Sequence, residues 1–433
     1  MTIEELRTKK KVLIIGYGVE GKAAHAFLTK CCPGVAVGIA DQKDGKDYLQ
    51  KQKEYELAIK SPGIRPELVT IPYTTGTSIF FANKKGKVIG VTGTKGKSTT
   101  ATLIYEMLKK ADFDVHLGGN VGKPAIELLD ILTKQSWTVL ELSSFQLQDI
   151  TMSPHISVLL RIIPEHLDYH KNMEDYIDAK RNILRFQSSD DYAVINRDYP
   201  VTNESDVYTE GKVFYVSRER ETNNACFVLG GKVIIQKDEN DNEIIKTAAI
   251  GLTGKHNLEN VCAAAMAANL AGVGTKDISA VLKKFKGLEH RLSLVGQAYG
   301  ITFYNDSLAT VPDATIEAIE AFDPQVETLI AGGYDRGIDF KNLGEYLAKS
   351  SVQNLILFPP AGEHIWQSVV AAGGADRLRR FDTTSMAQAV LFASEETSPG
   401  KICLLSPAAA SFGMFKNYKD RGEQFKKAVL GLA

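Results

Sequence analysis

Short runs rich in valine, isoleucine and leucine recur along this chain, and each is followed by a glycine or polar turn and then a helical pattern. Examples lie at residues 11–15, 35–40, 88–92, 138–142, 157–160, 328–331 and 402–405. Continuous apolar strands that alternate with helices are typical of parallel sheets covered on both faces. The sequence therefore predicts an α/β fold. Residues 213–252 differ, because they alternate and carry the polar turn K-D-E-N-D-N-E, which predicts an antiparallel hairpin.

Length and two breaks in the pattern predict how the chain divides. A chain of 433 residues is expected to form about three domains. The charged glycine linker N-K-K-G-K lies at 83–87, and a helical stretch gives way to a new series of strands at G-L-E-H-R-L, residues 287–292. The predicted domains are 1–86, 87–291 and 292–433.

Composition excludes several classes of protein. A formal net charge of -1 gives no overall field that would recruit nucleic acid. We find no apolar run near the ~20 residues that span a bilayer, and the N-terminal residues lack the apolar core of a signal peptide. Five cysteines without a C-x-x-C pair indicate a reduced chain without structural zinc. We therefore expect a cytoplasmic protein that neither binds nucleic acid nor inserts into a membrane.

The stretch V-T-G-T-K-G-K-S-T-T, residues 91–100, resembles a phosphate-binding loop with contracted spacing. The pattern G-x-x-x-x-G-K-[ST] would place its first glycine at Val91. The context of strand, loop and helix nevertheless fits, so backbone N–H groups would surround phosphates, and Lys97 would reach the β and γ oxygens. Ser98 or Thr99 would hold Mg²⁺. The predicted ATP-binding residues of this loop are Gly93, Thr94, Lys95, Gly96, Lys97, Ser98 and Thr99.

Two further residues are candidates for the same site. Glu141 ends an otherwise apolar strand, where a carboxylate costs free energy unless it is paired or bound to a metal. His166 follows another apolar run, at the strand end where ligands bind in open α/β sheets. Neutral imidazole is a metal ligand, although a lone histidine at this position can equally be structural.

The N-terminal strand is followed by G-x-G-x-x-G, formed by Gly16, Gly18 and Gly21, and Asp41 follows the next strand. This is the dinucleotide-binding pattern. Only 86 residues precede the phosphate-loop domain, however, which is room for one nucleotide-binding half. One nucleotide end of a ligand is therefore favoured over NAD, and a ligand-free turn stays an alternative. The S-P-G segment at 61–63 would complete the same site.

These residues together resemble the Mur ligase family of ATP-dependent amide-forming ligases, over nearly the whole chain. The family's phosphate-loop form is G-T-x-G-K-[ST], which residues 93–98 match. Further motifs follow in the family's order: G-G-N-V-G (118–122), L-E-L-S-S-F-Q-L (140–147), E-H-L-D (165–168), G-K-H-N-x-x-N (254–260), H-R (290–291), N-D-S (305–307), L-L-S-P-A-x-A-S-F (404–412) and F-K-N-Y-x-x-R-G (415–422). The resemblance implies a Rossmann-like UDP-binding domain, a central P-loop ATPase-like domain and a C-terminal Rossmann-like domain.

The resemblance also implies roles for individual residues. The metal site would use two Mg²⁺ ions and the ligands Ser98, Glu141, His166 and a carbamoylated Lys180, although sequence alone would describe Lys180 as a solvated helix residue. Catalytic roles would fall to Lys97, Glu141, His166 and Lys180. The UDP-linked substrate would contact Gly18, Val19, Glu20, Gly21, Asp41, Ser61, Gly63 and Asn120. ATP would also contact Asn257, Asn260, Arg291 and Asp306, and glutamate would bind at Thr310, Arg336, Ser406 and Phe415.

The implied activity is that of the family's glutamate-adding type. A monomer would join D-glutamate to UDP-N-acetylmuramoyl-L-alanine through an acyl phosphate, in peptidoglycan synthesis. Three positions depart from the commoner pattern: Arg161 stands for asparagine, Leu308 for lysine and Arg336 for lysine. Because the last two lie beside the glutamate site, L-glutamate stays open as the acceptor.

Other activities also stay open on the sequence. A folylpolyglutamate-type ligase would share the ATP-binding and last domains but would lack a UDP-binding domain before the phosphate loop. A P-loop switch or scaffold would bind nucleotide without ligating, and an NAD-dependent dehydrogenase would use the G-x-G-x-x-G turn.

Overall fold

The computed structural model describes residues 1–166, 169–237, 240–252, 254 and 257–432. The chain forms two compact units, Met1–Phe285 and Lys286–Ala433, called here the first and second units. Several residues of the motifs and of the predicted polar turn lie outside the described part: Leu167, Asp168, Asp238, Glu239, Lys255 and His256. Within the described part, no helix has the length and apolar character needed to cross a membrane.

The first sheet is parallel and has the strand order β2-β1-β3-β4. Its strands are β1 (Lys11–Ile15), β2 (Ala36–Ala40), β3 (Leu57–Lys60) and β4 (Tyr73–Thr74). Its helices are α1 (Ile3–Arg7), α2 (Val19–Cys31) and α3 (Gly76–Asn83), with 3₁₀ turns at Gln42–Asp44, Tyr48–Glu54 and Pro66–Leu68. Alternate residues of β1 enter different apolar clusters, since Val12 and Ile14 pack with α2 while Leu13 and Ile15 face the other side.

The second sheet of the first unit has nine strands in the described residues, in the order β13-β12-β11-β10-β9-β8-β5-β7-β6. They are β5 (Lys87–Thr92), β6 (Val115–Gly119), β7 (Trp137–Glu141), β8 (Ile156–Leu159), β9 (Tyr192–Asn196), β10 (Lys212–Ser217), β11 (Ala225–Leu229), β12 (Lys232–Lys237) and β13 (Asn240–Lys246). Pairing is antiparallel at β11–β12 and β12–β13 and parallel elsewhere. The predicted hairpin is confirmed for β12–β13, whereas β10, within the same predicted segment, pairs in parallel on both sides.

Helices cover both faces of this second sheet. They are α4 (Lys97–Lys110), α5 (Ala125–Leu128), α6 (Ser144–Leu147), α7 (Met173–Arg185), α8 (Pro200–Asn203), α9 (Asn257–Leu270) and α10 (Thr275–Lys284), with 3₁₀ turns at Glu204–Tyr208 and Thr247–Ala249. Ile89 and Val91 pack in one apolar cluster with α4 and the alanine-rich α9, while Val88 packs with α7 in another. Strand β5 is thus buried on both faces, and its C-terminal end meets the first turn of α4.

The second unit contains one sheet in the order β14-β15-β19-β16-β17-β18, parallel except for β14. Its strands are β14 (Ser293–Ala298), β15 (Ile301–Asn305), β16 (Val326–Gly332), β17 (Asn354–Phe358), β18 (Arg379–Asp382) and β19 (Ile402–Leu405). Its helices are α11 (Pro312–Glu320), α12 (Lys341–Leu347), α13 (Ala361–Ala371), α14 (Met386–Glu396) and α15 (Tyr418–Leu430). Apolar clusters on both faces of the sheet supply its core.

The predicted α/β class is confirmed, and every apolar run quoted for it coincides with a strand. Each sheet falls within one of the three predicted segments, 1–86, 87–291 and 292–433, while the two compact units meet at Phe285 and Lys286. The division into three domains at those boundaries stays a prediction.

Candidate active site

The phosphate loop joins β5 to α4 and depends on two glycines. Gly93 and Gly96 have φ angles of +152° and +85°, in the range that favours glycine. A Cβ on Gly96 would lie 2.1 Å from Oδ1 of Asn260, so glycine allows α9 to approach the loop. Gly96 is also the N-cap of α4. Since glycine has no side chain to cap the helix, the first N–H groups of α4 are open to an anion such as phosphate.

Two lysines converge on one carbonyl of this loop. Nζ of Lys97 donates to the carbonyl oxygens of Gly93, at 2.9 Å, and Thr94, at 2.7 Å. Nζ of Lys180, from α7, donates to the same Gly93 oxygen at 2.9 Å. The loop is tied further by the hydroxyls of Thr94 and Tyr176, which are 2.9 Å apart. The amino groups of Lys97 and Lys180 therefore lie together beside the first turn of α4.

Lys180 is buried, so its description from sequence alone as a solvated helix residue is wrong. Its side chain is 1% exposed, and its ammonium lies 4.7 Å from the ring centre of Tyr176. Burial, and next the charge of Lys97, lower the pKa of Lys180 well below its ordinary value. Glu165 and Glu141 oppose this shift without reversing it. Lowering the pKa favours the neutral amine, which is the nucleophilic form of lysine.

Glu141 ends β7 as a buried carboxylate with one oxygen unsatisfied. Its Oε1 accepts a hydrogen bond from Nδ2 of Asn120 at 3.0 Å. Its Oε2 is buried and has no hydrogen-bond partner among the described residues. Such an oxygen is costly to bury unless a ligand satisfies it, and carboxylate oxygens are the ligands that Mg²⁺ prefers. Glu141 therefore fits the predicted metal site, and Ser98 lies buried in the first turn of α4.

His166 occupies an uncommon backbone conformation beside an acidic partner. Its φ is +59°, and Nε2 lies 3.7 Å from Oε2 of Glu165. Oε1 of Glu165 in turn pairs with Nζ of Lys95 at 3.1 Å. Although burial raises the pKa of Glu165, the charges of Lys95 and Lys97 lower it overall. This carboxylate therefore links the His166 segment to the phosphate loop electrostatically.

A cleft of about 580 Å³ in the first unit brings many of the predicted residues together. Those that line it are Gly18, Val19, Glu20, Asp41, Ser61, Gly63, Lys97, Asn120 and His166. Gly21 lies outside the lining and has a packing role, because a Cβ there would lie 2.1 Å from the carbonyl oxygen of Gly16. The G-x-G-x-x-G turn, the S-P-G loop and the phosphate loop thus meet at one cleft.

Hydrogen bonds fix the loops at the end of the first sheet. Asp41 accepts from the backbone N–H of Tyr17 at 2.6 Å and of Lys43 at 3.1 Å, and these bonds lower the pKa of Asp41. The Ser61 hydroxyl donates to the carbonyl oxygen of Gly16 at 2.6 Å. The predicted Asp41 and Ser61 therefore hold the loops together as well as facing the cleft.

Several lining residues were not predicted individually from the sequence. They are Gly16, Tyr17, Gln42, Pro62, Ile64, Ser143, Phe145 and Gln146. All of them except Gln42 and Ile64 belong to motifs identified in the sequence, at residues 16–21, 61–63 and 140–147. Gln146 donates to Oε1 of Glu20 at 2.9 Å, which orients the Glu20 carboxylate within the cleft wall. The available signal for Phe145 and Gln146 was their place just after β7, in L-E-L-S-S-F-Q-L, where the polypeptide leaves the carboxyl end of a strand.

The two asparagines predicted near adenine lie together at the start of α9. Nδ2 of Asn260 donates to Oδ1 of Asn257 at 2.9 Å, and Oδ1 of Asn260 accepts from the Thr100 hydroxyl at 3.3 Å. Asn260 thus connects α9 to the helix that follows the phosphate loop.

The second unit holds the remaining predicted residues in separate groups. Nη2 of Arg336 donates to the carbonyl oxygen of Thr310 at 2.9 Å, at the surface. Ser406 is buried, and its hydroxyl donates to Oδ2 of Asp306 at 2.8 Å. Phe415 packs in an apolar cluster, with its ring centre 5.8 Å from that of Phe358. These contacts join Arg336 with Thr310 and Ser406 with Asp306.

Asp306 should make the stability of the protein depend on pH. Burial raises its pKa from 3.8 to about 7, against the opposing charge of Arg291. Between these two pH values the folded state keeps a proton that the unfolded state releases, so rising pH favours unfolding. We expect Asp306→Asn to become progressively more stable relative to the unsubstituted protein across this window. Urea midpoints at about pH 4 and about pH 8 measure the difference, and a difference independent of pH would contradict this assignment.

Comparisons with known proteins agree with the motifs. A family model of the Mur ligase middle domain matches residues 91–268, and one of the Mur ligase glutamate ligase domain matches residues 290–409. The chain is 38% identical to the UDP-N-acetylmuramoylalanine--D-glutamate ligase of Symbiobacterium thermophilum, over 99% of both chains. It is 37% identical to the enzyme of that name from Geobacillus kaustophilus, over 97% of both chains.

Among solved structures, the MurF ligase of Thermotoga maritima in complex with ADP is similar in fold. It has a TM-score of 0.59 and 18% sequence identity, and the match covers 99% of this chain and 100% of that one. The resemblance that the motifs indicated is thereby confirmed by sequence and by fold. Since the two family models together match more than half of its residues, this chain belongs to the Mur ligase family.

Proposed function

We propose that this protein is an ATP-dependent ligase that joins D-glutamate to UDP-N-acetylmuramoyl-L-alanine in peptidoglycan synthesis. The observation that carries the proposal is the similarity, over nearly the full length of the chain, to ligases named for that reaction. A folylpolyglutamate-type ligase and a non-ligating P-loop scaffold are not favoured. The monomeric state and the cytoplasmic location expected from the sequence remain part of the proposal.

ATP would bind along the phosphate loop. The open N–H groups at the start of α4 would receive phosphate oxygens, and Lys97 would exchange its bonds to the Gly93 and Thr94 carbonyls for the β and γ oxygens. Asn257 and Asn260 would lie near the adenine, as the family resemblance implies. Asn260 contacts Gly96 and Thr100 at the phosphate loop, and Asn257 accepts a hydrogen bond from Asn260. In the second unit, Arg291 and Asp306 would be further ATP contacts, as the family resemblance implies.

Glu141, His166, Ser98 and Lys180 would hold Mg²⁺. The unsatisfied Oε2 of Glu141 supports this role. A carbamate on Lys180 would form when its neutral amine attacks CO₂, with a new N–C bond and loss of one proton, and would place a second anion beside the buried Glu141 carboxylate. When bound, Mg²⁺ neutralises the crowded oxygens of phosphate and carboxylate groups and helps to align them.

The UDP-linked substrate would occupy the cleft of the first unit. Its diphosphate would lie at the G-x-G-x-x-G turn, where Gly18 is the N-cap of α2 and has no side chain to cap the helix. Ser61, Gly63 and Asp41 would hold the rest of the nucleotide. Asn120 and Lys97 line the same cleft, so a long ligand would direct its free carboxylate towards the phosphate loop.

The reaction then needs no protein nucleophile. The substrate carboxylate attacks the γ-phosphorus of ATP, forming an acyl phosphate and releasing ADP. The amine of glutamate attacks the acyl carbon, and the tetrahedral species loses inorganic phosphate and a proton to give the amide. Lys97 would stabilise the charge that develops on the transferred phosphoryl group, while the rigid loops hold the reacting atoms close.

Glutamate would bind to the second unit through Arg336 and Thr310. A guanidinium presents a planar fork that matches a carboxylate, and Arg336 is exposed and already held by the Thr310 carbonyl. Ser406 and Phe415 would also contribute to glutamate binding, as the family resemblance implies. Leu308 removes a positive charge that the commoner pattern has beside the glutamate site, so the assay that tests this proposal includes both isomers of glutamate.

The test compares phosphate release from ATP in the presence of UDP-N-acetylmuramoyl-L-alanine and each isomer of glutamate. We expect release with D-glutamate and only background release with L-glutamate or without the UDP-linked substrate. Activity confined to the L-isomer would overturn the choice of acceptor, while release that ignores the UDP-linked substrate would overturn the ligase assignment.

A further inference from the structure

We propose that Tyr169 is a positioning residue that fixes the substrate loop at residues 61–64 and connects this loop to the His166 segment. The inference rests on the proposed function, because it takes the cleft to be the site of the UDP-linked substrate. Tyr169 is not itself part of the cleft lining. Tyr169 contacts two parts of the cleft wall, the loop at residues 61–64 and Phe145.

The hydroxyl of Tyr169 binds the loop directly. It lies 3.0 Å from the carbonyl oxygen of Pro62 and 3.0 Å from that of Ile64. Nε2 of Gln148 donates to the same hydroxyl at 2.7 Å. Since the hydroxyl accepts from Gln148, its single hydrogen is directed to the two loop carbonyls.

A buried ion pair between Lys60 and Asp149 also contacts the substrate loop. Nζ of Lys60, the last residue of β3, donates to the Ile64 carbonyl oxygen at 3.0 Å and lies 2.8 Å from Oδ2 of Asp149. The Tyr73 hydroxyl donates to Oδ1 of Asp149 at 2.8 Å. The Ile64 carbonyl therefore has two donors, Lys60 and Tyr169. These hydrogen bonds restrain the main chain of the substrate loop, whose four residues, Ser61, Pro62, Gly63 and Ile64, all line the cleft.

The ring of Tyr169 supports the opposite wall. Its centre lies 4.3 Å from the centre of the Phe145 ring, in an edge-to-face arrangement. Phe145 lines the cleft, and its ring centre is 4.9 Å from that of His166. The backbone N–H of Tyr169 also donates to the carbonyl oxygen of His166 at 3.1 Å. The side chain of Tyr169 thus makes two contacts. Its hydroxyl binds the substrate loop, and its ring packs against Phe145, which in turn packs against the predicted metal ligand His166.

These two contacts predict separable effects. Tyr169→Phe removes the hydroxyl and keeps the ring, so we expect the KM for the UDP-linked substrate to rise about tenfold, with kcat and the KM for ATP changed less than about twofold. Tyr169→Leu also removes the ring, so we expect kcat to fall as well. A loss of general stability would not raise one KM selectively. Gln148→Leu removes the donor to the hydroxyl. We expect it to raise the KM for the UDP-linked substrate as well, by a smaller factor than Tyr169→Phe.

The experiment combines steady-state kinetics with calorimetric titration of UDP-N-acetylmuramoyl-L-alanine in the absence of ATP. Tyr215→Phe is the matched control, because its hydroxyl donates to Asp206 at 2.8 Å, away from the cleft lining. We expect weaker substrate binding in Tyr169→Phe and unchanged binding in the control. Equal affinity and equal KM in Tyr169→Phe and the unsubstituted protein would overturn the inference while amide formation stays intact. If the unsubstituted protein bound the UDP-linked substrate but formed no amide, the proposed function would fail, and the titration would still decide the role of Tyr169. If it did not bind this substrate at all, both the proposed function and the inference would be overturned.

Discussion

Replacement of Lys180 by alanine is expected to lower the rate of amide formation about a thousandfold. Lys180 extends from α7 to the phosphate loop and is buried there, and its pKa is held well below the ordinary value by burial and by Lys97. If the side chain carries a carbamate, alanine removes an anionic ligand of Mg²⁺ at the transferring phosphoryl group. Loss of such an electrostatic contact typically costs factors of this order. Phosphate release under saturating substrates measures the effect.

The design of this experiment separates chemistry from folding. Arg185→Ala is a matched control, since Arg185 lies at the end of the same helix and pairs with Asp178 at the surface. Formate or acetate, as a small carboxylate, should restore part of the rate in Lys180→Ala and none in the control. Full activity of Lys180→Ala without added acid would show that the account of the metal site is wrong.

Lys97→Ala is expected to reduce kcat by a factor of about a hundred to a thousand, with a smaller change in the KM for the UDP-linked substrate. Nζ of Lys97 already lies among the carbonyls of the phosphate loop, 2.7 Å from that of Thr94. The positive charge of Lys97 would stabilise the transition state, in which negative charge develops on the transferred phosphoryl group. The measurement is the rate of ADP formation at saturating concentrations of all three substrates.

Lys109→Ala provides the comparison for Lys97→Ala. Lys109 belongs to the last turn of the same helix, and its ammonium lies over the ring of Tyr105. We expect it to retain full activity and to unfold at a similar temperature. A Lys97→Ala enzyme that matched the control in kcat would exclude Lys97 from the catalytic step and would require another cation at the γ-phosphate.

The strands were predictable because they are buried on both faces. An apolar run such as residues 88–92 needs no tertiary information to be identified, since its residues face helices on either side. The hairpin at residues 213–252 was only partly predictable. Alternation identified β12 and β13, but pairing direction at β10 depends on neighbours that the local pattern does not contain.

The site could be predicted where a sequence motif determines the backbone conformation. It was less predictable where tertiary contacts determine whether a side chain is buried. The glycines of the phosphate loop follow from its φ angles and from the approach of Asn260. Lys180 shows the opposite case. It lies between Tyr176 and Ile183 on the buried side of α7, but a lysine in a helix is ordinarily solvated, so the sequence alone predicted an exposed side chain.

Contacts between distant segments were beyond the local pattern. The Tyr169 hydroxyl meets carbonyls of residues 62 and 64, which are more than a hundred residues away in the chain. Nothing in the spacing of D-Y-H or S-P-G indicates this meeting. The same holds for Gln146 and Glu20, which come together only because the two sheets of the first unit share one cleft.

The most direct test of the central claim follows one oxygen atom. The account holds that ATP activates the carboxylate of UDP-N-acetylmuramoyl-L-alanine as an acyl phosphate, which D-glutamate then converts to an amide. With ¹⁸O in both oxygens of that carboxylate, the inorganic phosphate released should carry one ¹⁸O, as measured by mass spectrometry. Phosphate without the label, formed in step with the amide, would contradict activation through an acyl phosphate.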